Sequence, residues 1–276
     1  MQRFFNPSLL FLWLLLTGVT VVPALQHDRT TATKASVEQT ARIREEWLGV
    51  YQDEEKVGSL HRRLIPVTNG YVWEEHWWLS LQLANKTHVT HTEVRAQANR
   101  TCELTAFFLW SSGGDTAFFI KADIANQGSS HQKIQGESIS NGEVTSFSVP
   151  LSLPLHLPPL CQMATPIASR PGTHREFSVF NPLSLQMETV KLTMLGVETI
   201  AINGQQQVAT KLASDMSDSR FYLWVDQEGR TLREEIAPGV ILQRENQELG
   251  TVDMWKERAI IPPTSTTDFL NPSGEK

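Results

Sequence analysis

One extended, proline-rich stretch in the middle of the chain constrains the fold more than any other feature. Across residues 147–157 every odd position is apolar, whereas prolines, serines and one histidine occupy the even positions. This period of two predicts an extended segment with one apolar face. Because proline cannot donate a ladder hydrogen bond, the segment is an edge strand or a polyproline-like run rather than a central strand. Seven of the 14 prolines lie between Pro150 and Pro182, so we interpret residues 151–182 as a joint between two β-rich regions.

Both flanking regions carry the patterns of antiparallel strands. Apolar and polar residues alternate over residues 71–84, and Asn141-Gly142 and Asn203-Gly204 are typical of two-residue hairpin turns. About a dozen strands without any βαβ alternation predict an all-β antiparallel fold, either a sandwich or a half-open barrel of two β layers. Gly196 is expected to form a β-bulge in the long apolar strand at residues 190–202. One or two short helices are expected, at residues 34–46 and 160–167. The predicted divisions are a first β layer at 47–150, the Pro-rich joint at 151–182, a second β layer at 183–252 and a flexible tail at 253–276.

The first 24 residues have the pattern of a bacterial export signal. Arg3 precedes an apolar run, and Val22-Pro23-Ala24 supplies small residues at a cleavage site, so we predict cleavage after Ala24. Because the apolar run is short of the ~20 residues that span a bilayer comfortably, cleavage is favoured over an uncleaved anchor. A polar segment with a weak helix follows at residues 25–46. We therefore expect a periplasmic or secreted protein with no transmembrane span after cleavage.

The residue types that carry enzyme chemistry form no recognisable motif. Cys102 and Cys161 are the two cysteines, and in an oxidising compartment they could form a disulfide or remain two free thiols. His88 and His91 lie three apart on a predicted strand, so they point to opposite faces and make a poor metal pair. Asp53-Glu54-Glu55 and Glu74-Glu75 are interpreted as solvated charges of a turn and of a strand face. No catalytic residue, metal or cofactor is predicted. The formal net charge of −6, with scattered basic residues, excludes nucleic acid as a partner.

Aromatic residues are concentrated in the first β layer. Because neighbouring side chains on a strand point to opposite faces, Trp77-Trp78 and Phe107-Phe108 must each place one ring on each face. Core packing explains one of these faces, and the other needs a partner, which could be the joint, the N-terminal helix, another protein or a lipid. The candidate residues of an apolar groove are Trp73, Trp77, Trp78, Phe108, Trp110, Phe118, Leu153 and Leu155.

Several short motifs resemble exported bacterial domains that precede transglutaminase-like domains. They are Trp47-Leu-Gly-Val-Tyr51 with Lys56-Val-Gly58, then Phe180-Asn-Pro182, residues 196–204, and Trp224-Val-Asp226 with residues 229–233. These domains are more distantly similar to the half-open barrels of periplasmic lipoprotein carriers such as LolA. The resemblance implies a curved antiparallel sheet that binds acyl chains or a partner. It implies an accessory domain rather than the enzyme, because about thirty residues follow the β region.

These observations together predict a non-catalytic exported protein that holds a partner protein or an apolar, lipid-like ligand on a curved sheet. A stand-alone accessory domain for a transglutaminase-like protease is one alternative. A cysteine-dependent enzyme is the other, and it would need a base close to Cys161.

Overall fold

The computed structural model describes residues 43–83, 86–101, 103–113, 116–127, 131–140, 142–151, 155, 170–181, 186–216 and 219–247. Several predictions fall outside the described residues: the export signal with its cleavage site at Ala24, Cys102, Cys161, Leu153, the helix at 160–167 and the tail at 253–276.

Fourteen strands make up the described fold. They are β1 (Arg44–Gln52), β2 (Glu55–Val67), β3 (Gly70–Leu83), β4 (Lys86–Asn99), β5 (Leu104–Gly113), β6 (Thr116–Gln127), β7 (His131–Ser140), β8 (Glu143–Leu151), β9 (His174–Asn181), β10 (Gln186–Ile202), β11 (Gln205–Met216), β12 (Ser219–Val225), β13 (Thr231–Ala237) and β14 (Val240–Arg244). Each pairs antiparallel with its neighbours. The predicted all-β antiparallel class is confirmed.

The strand order shows how the two predicted β layers are related. All fourteen strands form one sheet in the order β8-β7-β6-β5-β4-β3-β2-β1-β14-β13-β12-β11-β10-β9. The described chain therefore enters the sheet in its middle at β1, runs out to one edge at β8, continues at the other edge with β9, and returns to β14 beside β1. The two β-rich regions are parts of one sheet joined through β1 and β14. Residues 147–151 of the predicted extended segment lie in β8, which is an edge strand of the described sheet and not a central one.

Curvature brings the two ends of this sheet together. Met187 of β10, next to the β9 edge, packs against a cluster that contains Leu64 of β2 and Ile134 of β7. No pairing between β8 and β9 accompanies this contact in the described chain, so the sheet is an open, barrel-like one. We name the face with Leu60, Trp73 and Trp77 the inner face, because its side chains form the apolar clusters of the core. The opposite face, which carries His61, His76 and Trp78, is the outer face.

Local sequence signals account for two of the hairpins. Asp53 and Glu54 form a two-residue turn with positive φ between β1 and β2, and Asn203-Gly204 does the same between β10 and β11. The bulge predicted at Gly196 is present as a register shift between Met194 and Gly196.

One helix prediction needs correction at its C-terminal end. Residues 44–46 lie in β1 and not in a helix, because they pair in register with residues 62–64 of β2.

Candidate functional site

The predicted groove residues divide between the two faces of the sheet. Trp73, Phe118 and Leu155 belong to one apolar cluster on the inner face, and Trp77 belongs to a neighbouring cluster on the same face. Three further predicted residues lie on the outer face: Trp78, Phe108 and Trp110. The alternation expected from Trp77-Trp78 and Phe107-Phe108 is therefore present, and the set does not line one continuous groove.

Leu155 shows what the inner face accommodates. It lies four residues beyond the end of edge strand β8, and it is only 2% exposed. Its carbonyl accepts a hydrogen bond of 2.7 Å from the backbone N–H of Leu104, at the start of β5. The chain thus places an apolar residue from outside the strands against Trp73 and its neighbours in the cluster. An apolar side chain that does not belong to a strand can therefore pack on this part of the inner face.

A buried ion cluster occupies the inner face at the junction of the two halves of the chain. The Arg62 Nε donates to Glu75 Oε1 at 2.8 Å, and its Nη1 donates to Glu234 Oε1 at 2.7 Å. Arg62 Nη1 also contacts Thr231 Oγ1 at 3.3 Å and Glu46 Oε2 at 3.8 Å. Four strands are joined in this way, because these residues lie on β1, β2, β3 and β13.

Burial and ion pairing shift the pKa values of Arg62 and Glu75 in opposite directions. Burial alone would lower the pKa of Arg62, but the charges of Glu234 and Glu75 outweigh it, so the pKa of the guanidinium is raised. Burial raises the pKa of Glu75, against the opposing effects of Arg62 and of the Trp77 Nε1–H, which donates to Glu75 Oε2 at 3.1 Å. Every polar atom of the Arg62 guanidinium has a carboxylate or hydroxyl partner, which is typical of a structural ion cluster.

The outer face carries a row of imidazole and indole rings across β1 to β5. The imidazoles are those of His61, His76 and His91, on three neighbouring strands. Their ring centroids are 6.2 Å apart for His61 and His76 and 6.5 Å apart for His76 and His91. Trp47 stacks on His61 at 3.8 Å, and Trp78 stacks on His91 at 4.6 Å. Stacked, nearly parallel rings do not direct their nitrogens to a common point, so the row is not arranged as a metal site.

Charged side chains flank this row on the same face. Arg95 Nε lies 2.6 Å from Glu93 Oε1 and 3.7 Å from Glu74 Oε1. Arg63 Nη1 lies 3.5 Å from Glu74 Oε2, and Glu45 Oε1 lies 2.6 Å from His61 Nε2. The sequence suggested solvated carboxylates at Glu74 and Glu75, and this is wrong. They are only 7% and 1% exposed, because each is directly opposite an arginine of β2.

These arrangements limit the chemistry that the described part of the chain can perform. It contains no group of three or more His, Cys, Asp or Glu side chains that could hold a metal ion. It also contains no helix that is long and apolar enough to cross a membrane. The features open to a partner are instead the edges of the sheet and a few exposed apolar side chains.

Four of the six exposed large apolar side chains among the described residues lie in two places, on β8 and on the β10–β11 hairpin. Val144 on the edge strand β8 is 57% exposed. Val197 on β10 and Val208 on β11 are 62% and 54% exposed, and Leu195 at the bulge is also exposed. The β10–β11 hairpin extends beyond β12, since β11 pairs with β12 only from Thr210 onwards.

The comparisons with known proteins show a likeness in structure and none in sequence. No family model matches the chain, and no curated protein matches it. Among solved structures, the crystal structure of the β-barrel-like protein of domain of unknown function DUF1849 from Brucella abortus is similar, with a TM-score of 0.55 and 7% sequence identity. The match covers 73% of this chain and 97% of that chain. At this identity the likeness shows the fold alone.

The likeness bears out part of the resemblance found in the sequence. An all-β, barrel-like fold is shown. The more specific resemblances, to domains associated with transglutaminase-like domains and to lipoprotein carriers, receive no support from it.

Proposed function

We propose that this chain is a non-catalytic, exported binding or accessory protein, and that it engages a partner protein through its open sheet. The observation that supports this proposal most directly is the strand order, in which β8 and β9 are the two terminal strands of the described sheet. A terminal strand can offer backbone hydrogen-bonding groups to an extended segment of another protein. Val144 adds an exposed apolar side chain to the β8 edge.

Mutation of the edge strand tests this proposal. Val144→Lys places a charge on the edge, which opposes strand addition. Val208→Lys is the matched control, because Val208 is similarly exposed but lies on the β10–β11 hairpin. Cross-linking and affinity purification from periplasm should recover a specific partner with the wild type and with Val208→Lys, and lose it with Val144→Lys. Recovery of the same partner with all three proteins would contradict the edge as the binding site.

An apolar, lipid-like ligand is the second candidate. The position of Leu155, buried against the inner-face cluster from outside the strands, supports the idea that an acyl chain could take the same place. Native mass spectrometry of the protein from periplasm, followed by denaturing extraction, tests this candidate. Lipid released in stoichiometric amount would support it, whereas bare protein that binds no acyl probe would count against it.

Export is part of the proposal and has its own test. The signal pattern at residues 1–24 leads us to expect a mature protein that is 24 residues shorter than the full sequence. The same mass measurement reads this length directly, and a mature protein that retains Met1 would contradict cleavage at Ala24.

The two alternatives to a general binding role make distinct predictions. An accessory domain for a transglutaminase-like protease should co-purify with that enzyme. A cysteine-dependent enzyme should lose activity in Cys161→Ser without losing stability, whereas a neutral or merely unstable variant would remove that alternative.

A further inference from the structure

The row of three histidines on the outer face has an arrangement that the proposed binding role does not use. His61 is directly opposite His76 in the register of β2 and β3, and His91 is diagonal to His76 on β4. Rings stack along the whole row, and Trp110 closes it with an edge-on contact of 5.0 Å to His91. His61 is 9% exposed and Trp110 is 2% exposed. The row is therefore a packed layer, and each imidazole is in contact with other rings.

The acidic groups that face this row already have partners. Glu45 of β1 pairs with His61, Glu93 of β4 pairs with Arg95, and Glu74 of β3 lies between two arginines. The arginines Arg63 and Arg95 face the same side of the sheet as His76 and raise the positive potential there. Glu45, Glu74 and Glu93 are therefore already paired, so a proton on His76 or His91 would gain no new acidic partner from them.

The hydrogen bonding of His91 also disfavours its protonated form. Its Nε2 atom is buried and has no hydrogen-bond partner, so a proton at this atom would be a buried, unsatisfied charge. Burial lowers the pKa of His91 to about 4. Burial also lowers the pKa of His76 to about 3, with further lowering by His61, His91, Arg95 and Arg63. Burial lowers the pKa of His61 as well, although Glu45 opposes that effect.

We infer that His61, His76 and His91 form an acid-sensitive seam, whose protonation separates the stacked rings and loosens β2 to β4 while the rest of the sheet stays folded. The local nature of the response follows from the position of the row, since all three histidines lie on these strands and β10 to β12 carry none. We call the arrangement with the rings stacked the closed state of the seam. In this state the imidazoles are neutral and stack with indoles. When they are charged, neighbouring cations in the row would lie only 6.2 and 6.5 Å apart.

The direction of the pH dependence follows from proton linkage. An unfolded or opened histidine has its ordinary pKa of 6.5, whereas the closed state holds the pKa of His76 near 3 and that of His91 near 4. The opened state therefore binds more protons below pH 6.5, so the closed state loses stability as pH falls through the window from 6.5 to about 4. Above pH 6.5 the stabilisation is complete.

Hydrogen exchange of the full chain between pH 7 and pH 4.5 tests the inference. After correction for the intrinsic rate, exchange in β2 to β4 should increase at least about tenfold per titrating histidine, and β10 and β11 should stay protected. The variant with both His76→Gln and His91→Gln should lose most of this increase. His174→Gln, at an exposed site on β9, should respond like the wild type. An unchanged acid response in the double variant, or a uniform loss of protection across all strands, would overturn the seam.

A second measurement covers the case in which the double variant does not fold. Imidazole resonances of the wild-type protein can be followed by NMR from pH 8 to pH 4. At least two of the eight histidines should remain neutral at pH 5 and then titrate together with the loss of protection in β2 to β4. Titration of all eight above pH 6 would refute the inference.

Discussion

Replacing Arg62 with methionine would test whether the buried ion cluster joins the two halves of the sheet. The guanidinium contacts Glu75 at 2.8 Å and Glu234 at 2.7 Å. The side chains of all three residues are less than a tenth exposed. Arg62→Met would leave two carboxylates buried without their cation, and removal of one partner from a buried pair costs about 3–5 kcal/mol in the free energy of unfolding. Since a domain is stable by only about 5–15 kcal/mol, this loss would be large.

The assay is urea denaturation of the wild type, of the single variants Arg62→Met, Glu75→Gln and Glu234→Gln, and of the triple variant that combines them. The triple variant removes the two unpaired carboxylate charges, so it should be more stable than Arg62→Met alone. The deficit of Arg62→Met relative to the wild type should also shrink between pH 7 and pH 5. Loss of Arg62 raises the pKa of Glu75 further, and a protonated carboxyl is cheaper to bury.

Two results would refute this account of the cluster. One is an Arg62→Met variant that loses less than about 1 kcal/mol, which is the value of an exposed ion pair. The other is a triple variant whose loss equals the sum of the separate substitutions, because groups in one ionic network are expected to be coupled.

Three further predictions concern single side chains. Gly58→Ala should lower stability by about 1–3 kcal/mol in urea denaturation, because the added Cβ would lie 2.1 Å from the carbonyl oxygen of Trp78; an unchanged midpoint would contradict the close approach of β2 and β3. Tyr51→Phe should cost about 1–2 kcal/mol by the same assay, since its hydroxyl donates to the buried Glu245 at 2.6 Å, and a gain in stability would refute that role. Val197→Ser, at a site 62% exposed, should change the free energy of unfolding by less than about 0.5 kcal/mol; a larger loss would show that this side chain is covered in solution.

Sequence patterns predicted the strands well where a local turn fixed the register. The alternation of residues 71–84 corresponds to β3, and Asn203-Gly204 connects β10 and β11 as expected. In each case the information lies within one hairpin, because the turn and the period of two together determine which side chains share a face. The bulge at Gly196 was also predictable from local sequence, because an isolated glycine within a strand pattern indicates a bulge.

The pairing of Glu75 with Arg62 could also have been predicted from the sequence. Val67 pairs with Gly70 across the turn, so five residues back on β2 and five forward on β3 place Arg62 opposite Glu75. Counting from that turn would have predicted an ion pair where solvated charges were expected. The contact of Arg62 with Glu234 was not predictable in this way. The two residues are 172 positions apart in the chain, so their contact depends on which distant strands the curved sheet brings together.

The faces of the aromatic residues were also only partly predictable from the sequence. Adjacent rings such as Trp77 and Trp78 had to lie on opposite faces, and they do. Which face carries the core depends on the direction in which the sheet curves. That direction is a property of all fourteen strands, so the predicted groove mixed residues from both faces.

The position of β1 in the middle of the sheet has a consequence for biosynthesis. β1 pairs with β2 soon after both leave the ribosome, but its other side waits for β14, and Tyr51 meets Glu245 only across 194 residues of chain. Until the final strand arrives, β1 presents an unpaired edge to any neighbouring polypeptide. Closing so long a loop is slow compared with forming the hairpins. A nascent chain halted before β14 should therefore be the form most prone to aggregation, and a chaperone that shields the edge of β1 should suppress it.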